Sequence, residues 1–203
     1  MTGHDSLEGV MTRRSIMAFA TVGLLLLASG PGAEALTIHS VNVPQTVTLH
    51  GVKLRLNGAG VRNYTLIFSF GVYVGALYLE HLTHQASHAL AEKGPDRIAM
   101  YFLRGVSRSE LRSAWRKGFR RNNSSSVQTH LAHEIASFIA VWKPLHNHAR
   151  VFLDYVPGPG TTVSVNGTII GHFPGRRFHQ ALLRIWLGPR PPTHDLKHRM
   201  LGR

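Results

Sequence analysis

The sequence predicts an α+β fold built on a largely antiparallel sheet, and three observations carry that expectation. Apolar and polar residues alternate in short segments across residues 36–56, the period-two signature of half-buried strands. Asn166-Gly167, flanked by strand-like residues 162–165 and 168–171, is the strongest two-residue hairpin signal in the chain. Apolar residues also recur at helical spacing in three later segments, and no segment of the chain repeats.

The first 35 residues read as an address rather than as part of the fold. Arg13 and Arg14 precede a compact apolar stretch at residues 16–27, and Ala33-Glu34-Ala35 then fits a small-x-small cleavage site. The apolar stretch is short for a membrane span and Gly30-Pro31-Gly32 breaks it. The expectation is a signal peptide over residues 1–35, cleaved near Ala35, and an exported, periplasmic domain over residues 36–203. Thr12-Arg13-Arg14-Ser15-Ile16 resembles a twin-arginine signal, and the very apolar stretch fits the general secretory route equally well.

Within the exported part, residues 36–56 read as short strands, the last two turned at His50-Gly51. Asn57-Gly58-Ala59-Gly60 reads as a glycine-rich turn that delivers Arg62 to the mouth of a long apolar run, residues 66–79. That run carries no charge and its alternation is imperfect, as expected of a strand buried on both faces. Gly71 and Gly75 mark a turn, a bulge or a close approach. Residues 83–93 read as a short helix with Thr83 as N-cap, and residues 97–103 as a strand.

Ser107 and Glu110 stand at capping-box spacing before a helix whose apolar face is Leu111, Ala114, Trp115 and Phe119. After a polar linker, Val127, Leu131, Ile135, Phe138, Ile139 and Trp142 keep helical spacing up to Pro144. Residues 149–156 read as a strand. Phe178, Ala181, Leu182, Ile185 and Trp186 form another amphipathic helix closed by Gly188-Pro189, with a last helical turn expected after Pro191-Pro192.

Composition narrows the function. A hydrophobic fraction of 43% and a charged fraction of 16% describe a globular chain. Cysteine is absent, which excludes disulfides, thiol catalysis and every cysteine-based metal site. The net charge is +13, and residues 36–203 alone carry twenty-one basic against seven acidic residues, or +14. Nucleic acid is not an expected partner after export. Anionic lipid headgroups, surface polyanions or acidic ligands fit the charge, as does a general arginine bias without a dedicated partner.

Three blocks now resemble a known family. GAGVRNYTLIFSFGVYVGALYLE, YFLRGVSRSELRSAWRKGFRRN and FHQALLRIWLGPRPPTHDLKHRMLG occur in that order between Gly58 and Gly202, and together they resemble the chalcone isomerase-like family, with its exported bacterial branch more similar than the plant enzymes. The resemblance implies an open-faced β-sandwich: a large antiparallel sheet covered on one side by helices, with a ligand cleft between them. In the plant enzymes an arginine after the Gly-Ala-Gly motif guides the substrate phenolate, and Arg62 matches it. The other catalytic positions depart: the strand threonine falls near Tyr73, the helical tyrosine and asparagine near Leu111 and Gly118, and the late-helix polar residue near Ile185. Leucine, glycine and isoleucine cannot supply the missing hydrogen bonds, and Arg62 alone cannot polarise a ketone.

The family's non-catalytic relatives include fatty-acid-binding proteins that hold a carboxylate on the same arginine. The leading expectation is therefore a non-catalytic protein that binds a fatty acid or similar amphipathic anion, without a cofactor or resident metal. Arg62 would stand at the mouth of the cleft, and Tyr73, Tyr78 and Tyr101 would be candidate second donors. Two alternatives stay open. One is an intramolecular lyase or isomerase of the same fold using Arg62 and Tyr73. The other is a membrane- or partner-docking protein using the basic helix 108–121, where Arg108, Arg112, Arg116 and Arg120 recur every fourth residue, continuing a series begun at Arg104. His84 and His88, and His130 and His133, have one-turn spacing, but no third ligand stands at matching spacing. No Ser-His-Asp arrangement or nucleotide loop stands out.

Overall fold

The computed structural model describes residues 35–65 and 69–203; the expected signal peptide, up to residue 34, lies outside the described residues. A first hairpin pairs β1 (Ala35–Ile38) with β2 (Val41–Pro44). Seven strands then form one antiparallel sheet in chain order: β3 (Thr46–Leu49), β4 (Val52–Thr65), β5 (Ser69–Leu79), β6 (Asp96–Phe102), β7 (Arg150–Val156), β8 (Gly160–Val165) and β9 (Thr168–Phe173). Between β5 and β6 lies α1 (Ala86–Ala91). Between β6 and β7 lie α2 (Arg108–Asn122), α3 (Ser125–His130) and α4 (Ala132–Ala140). After the sheet come α5 (Arg176–Leu187) and α6 (His194–Met200).

The sheet has a core on each face. Side chains alternate across a strand, so in β5 Tyr73, Leu77 and Leu79 enter the core under the helices, while Val74, Ala76 and Tyr78 enter the core under the β1–β2 hairpin. Burial on both sides from Val72 to Leu79 explains why that part of the run carries no charge, while residues 66–68 of the run lie outside the described residues. The helix-side core is aromatic: Trp115 stacks on Trp142, and Phe119, Phe138, Phe173 and Phe178 meet mostly edge-on or tilted.

Local chemistry sets most boundaries where the sequence places them. His50-Gly51 and Asn166-Gly167 both have positive φ at each residue, the geometry of a two-residue hairpin that follows the strand twist. The Ser107–Glu110 capping box is complete: the serine hydroxyl accepts from the Glu110 N–H at 3.2 Å, and the Glu110 carboxylate accepts from the Ser107 N–H at 2.8 Å. Those bonds, together with Arg104, hold the Glu110 carboxyl below its ordinary pKa.

Four expectations need correction. Asn57-Gly58-Ala59-Gly60 is not a turn but the middle of β4, with a bulge between Leu56 and Gly58. Its glycines serve a close approach instead. A Cβ at Gly58 would overlap the Arg199 carbonyl oxygen, and one at Gly60 would stand 2.6 Å from the Arg199 Cβ, so α6 packs directly on bare strand backbone. Thr83 does not cap α1, which starts at Ala86 after Gln85. The helical pattern over residues 127–142 divides at Leu131 into α3 and α4. Ala114 is exposed rather than part of the buried face of α2.

Asn57 fastens the same region. Its side chain, nearly buried, donates to the Met200 carbonyl at 2.8 Å and the Thr83 carbonyl at 3.0 Å, and accepts from the Thr83 N–H at 2.7 Å. Gly58→Ala is therefore expected to lower stability by roughly 1–3 kcal/mol through overpacking and to loosen α6 first. Denaturant unfolding, together with hydrogen exchange of the amides of residues 194–202, measures both effects. Unchanged exchange there would contradict the close-approach account.

Candidate functional site

Arg62 and Tyr73 stand directly opposite each other in the β4–β5 ladder, which brings their Cβ atoms within about 5.5 Å of each other on the helix-facing side. The register slips next to them: Asn63 pairs with Gly71, so Val72 is an extra residue in β5. That bulge ends the regular alternation where the arginine is presented. Arg62 is half-buried, whereas Tyr73 is buried and its hydroxyl accepts from the Trp186 indole N–H at 3.0 Å. Burial pushes the Tyr73 phenol up to about 12, and the Trp186 hydrogen bond and the Arg62 charge pull weakly the other way.

The wall behind Tyr73 is apolar. Phe102 lies 5.5 Å away between ring centres, and Trp186 continues to Trp115 at 5.8 Å. Leu111 and Ile185 are buried, and Ile185 fills the space a side chain at Gly118 would need, since a Cβ there would stand 2.8 Å from its Cγ2. α2 and α5 thus close on one another with hydrocarbon at the positions that face the sheet. The indole N–H groups of Trp115 and Trp142 are buried with no hydrogen-bond partner among the described residues.

Tyr78 and Tyr101 lie on the opposite face, so the four residues singled out in the sequence divide between the two sides of the sheet. Tyr78 donates to the Pro44 carbonyl at 2.9 Å. Burial raises the pKa of both phenols, most strongly that of Tyr78. Tyr101 borders a groove of about 370 Å³ between the β1–β2 hairpin and strands β6 and β7, walled by Val41, Pro44, Val47 and Phe152.

Two arginines in that groove were not singled out in the sequence. Arg97 makes a two-pronged pair with Asp154, one arm at 2.7 Å, and stacks 4.6 Å over the Phe152 ring. Arg150 stands opposite Tyr101 in the β6–β7 ladder, and its guanidinium makes no hydrogen bond or ion pair among the described residues. The sequence held a usable signal for Arg97: an arginine in one predicted strand and an aspartate, Asp154, in the next predicted strand along the chain.

The structure also joins Asp96, His179 and Thr161, which the sequence did not connect. His179 Nε2 meets the Asp96 carboxylate at 2.7 Å, its Nδ1 lies 3.4 Å from the Thr161 hydroxyl, and its ring stacks on Tyr155 at 4.0 Å. Thr161 is 0% exposed, so no substrate reaches its hydroxyl and the chain of bonds is an internal tie between α5 and the sheet. His84 precedes α1 instead of sharing a helical face with His88, and its Nδ1 bonds to the Leu201 carbonyl at 2.7 Å. Among the described residues no three histidine or acidic side chains converge as a metal site.

Comparison with known proteins places this geometry. Residues 35–202 match the sequence profile of the chalcone isomerase-like family. Among solved structures the fold is similar to that of an Arabidopsis thaliana fatty-acid binding protein, with a TM-score of 0.62 at 15% identity, over 83% of this chain and 96% of that one. No curated protein matches the sequence.

The Tyr73 phenol generates a pH prediction. The unfolded chain ionises this group near 10 and the folded chain near 12. Its contribution to stability is therefore intact below pH 10 and lost as pH climbs from 10 to 12. Between about pH 9 and about pH 11, Tyr73→Phe is expected to lose about 1 kcal/mol less stability than the parent protein. Denaturant unfolding at both pH values measures the difference, and equal losses would contradict it.

Proposed function

Because the chain belongs to the chalcone isomerase-like family, we propose that it is a non-catalytic binding protein of that fold, exported to the periplasm, holding a fatty acid or similar amphipathic anion with its carboxylate at Arg62. The observation that carries this reading is the pairing of Arg62 with Tyr73 at the edge of an aromatic core. A guanidinium offers a two-pronged donor to a carboxylate, and the Tyr73 hydroxyl, which already accepts from Trp186, still has its own proton to donate. The apolar tail would lie toward Phe102, Trp115 and Trp186. The fatty-acid-binding neighbour supports the same ligand class.

Catalysis is the weaker reading on the same geometry. Leu111, Gly118 and Ile185 offer no side-chain donor to hold a water against a ketone, and a phenol pushed up to about 12 is a poor base at neutral pH.

A second location for the same ligand class is favoured by one observation, the groove on the opposite face with Arg150 at its rim and apolar walls. The two locations separate by mutation. Quenching of tryptophan fluorescence by a long-chain fatty acid is expected to report binding. Arg62→Ala is expected to weaken affinity at least tenfold, about 1.4 kcal/mol, while Arg150→Ala leaves it unchanged. Full affinity in Arg62→Ala would overturn the proposed site, and loss confined to Arg150→Ala would move the ligand to the groove.

A further inference from the structure

A second cluster of cations lies on the helix layer, away from both places described above. Arg177, Gln180 and Arg184 follow one another three and four residues apart, forming a single stripe along α5. Ser126, Val127, His130 and Leu131 of the α3 segment face that stripe, and between the two lies a cavity of about 400 Å³. No carboxylate lines it. Leu131 is buried and forms an apolar floor, Arg184 is half-buried, and Arg177 and His130 stand at the rim.

The contact across the rim is unusual. The Arg177 guanidinium approaches His130 Nε2 at 3.2 Å. A guanidinium only donates, so the imidazole must accept through this nitrogen in its neutral form. Two cation-capable groups are thus held within bonding distance with no acid between them. An oxyanion at that position would let both donate and would neutralise the repulsion that a charged imidazole brings. Arg184 has no hydrogen bond or ion pair from its guanidinium among the described residues, and the Ser126 hydroxyl offers a further donor at the opposite wall.

We propose that this pocket is a phosphate site. Two guanidinium forks, one imidazole and one hydroxyl supply more donors than the two oxygens of a carboxylate use, and they suit the several oxygens of a phosphoryl group. The pocket also adjoins the basic end of α2. Gln128 donates to the Arg120 carbonyl, and Arg116, Lys117, Arg120 and Arg121 are exposed. A phosphoryl group can come from a lipid headgroup or from a small soluble phosphate compound, and the chemistry of recognition is the same.

The site is tested on the full chain by titrating inorganic phosphate and following backbone amide chemical shifts. The expected result is saturable shifts concentrated in residues 126–131 and 177–184, with a dissociation constant on the order of 1 mM or tighter. Arg177→Gln, an exposed position that leaves the core untouched, is expected to weaken binding at least tenfold, and Lys53→Gln, an exposed position on β4 outside both pockets, to leave it unchanged. Competition by phosphatidylglycerol vesicles, but not by phosphatidylcholine vesicles, would assign the phosphoryl group to an anionic membrane. Phosphate binding without vesicle competition would assign it to a soluble compound. Unsaturable shifts spread over all basic surfaces, or equal binding of acetate, would overturn the proposal.

Discussion

The rest of the structure depends on β5 being buried on both faces. From Val72 to Leu79 such a strand sorts its side chains by parity, so the apolar residues there are committed to the helix layer or to the hairpin layer. Tyr73 therefore joins Phe102, Trp115 and Trp186, while Tyr78, only five residues on, bonds to Pro44 beneath the hairpin. The bulge at Val72 is the one break in that parity. It falls beside Arg62, so the single cation of this part of β4 stands where the regular ladder ends. A buried strand thus divides the molecule into two chemically separate sides, and the proposed ligand chemistry follows from which side a cation occupies.

The helix layer is held against this strand by backbone proximity as much as by side-chain packing. Gly58 and Gly60 bring α6 onto β4, and Asn57 ties the Met200 carbonyl to the same strand. At the other end α5 is pinned by the buried Asp96–His179 pair and by Asn122, which bonds to the Arg190 carbonyl and N–H. A buried pair of this kind is weak evidence for stability, whereas losing one partner would leave the other buried without its hydrogen bond. These ties set the distance between the helices and the sheet.

Much of the fold was legible in the sequence because its signals are local. Asn166-Gly167 and His50-Gly51 demand positive φ, and Ser107 with Glu110 satisfies a helix start within four residues. The misreadings came where a distant partner decides. Asn57-Gly58-Ala59-Gly60 has the composition of a turn, and only α6, some 140 residues later in the chain, gives its glycines a reason to sit in a strand. The continuous pattern from Val127 to Trp142 hid the break at Leu131, since apolar spacing survives a short kink. Arg62 stood out in the sequence through its match to the family motif, and its place opposite Tyr73 required strand register. The faces of Tyr78 and Tyr101, and the pairing of Arg150 with Tyr101, required strand register, which composition does not encode.

The central claim is that the ligand lies on the helix-facing side of β5, with its anionic end at Arg62. A fatty acid carrying a nitroxide near the carboxylate, added to isotope-labelled protein, tests it most directly through paramagnetic broadening of backbone and indole signals. The account predicts broadening centred on residues 61–63 and 72–74, reaching the indole of Trp186 and sparing residues 41–47 and 150–152. Broadening confined to the hairpin face, or none at a ligand excess, would contradict it.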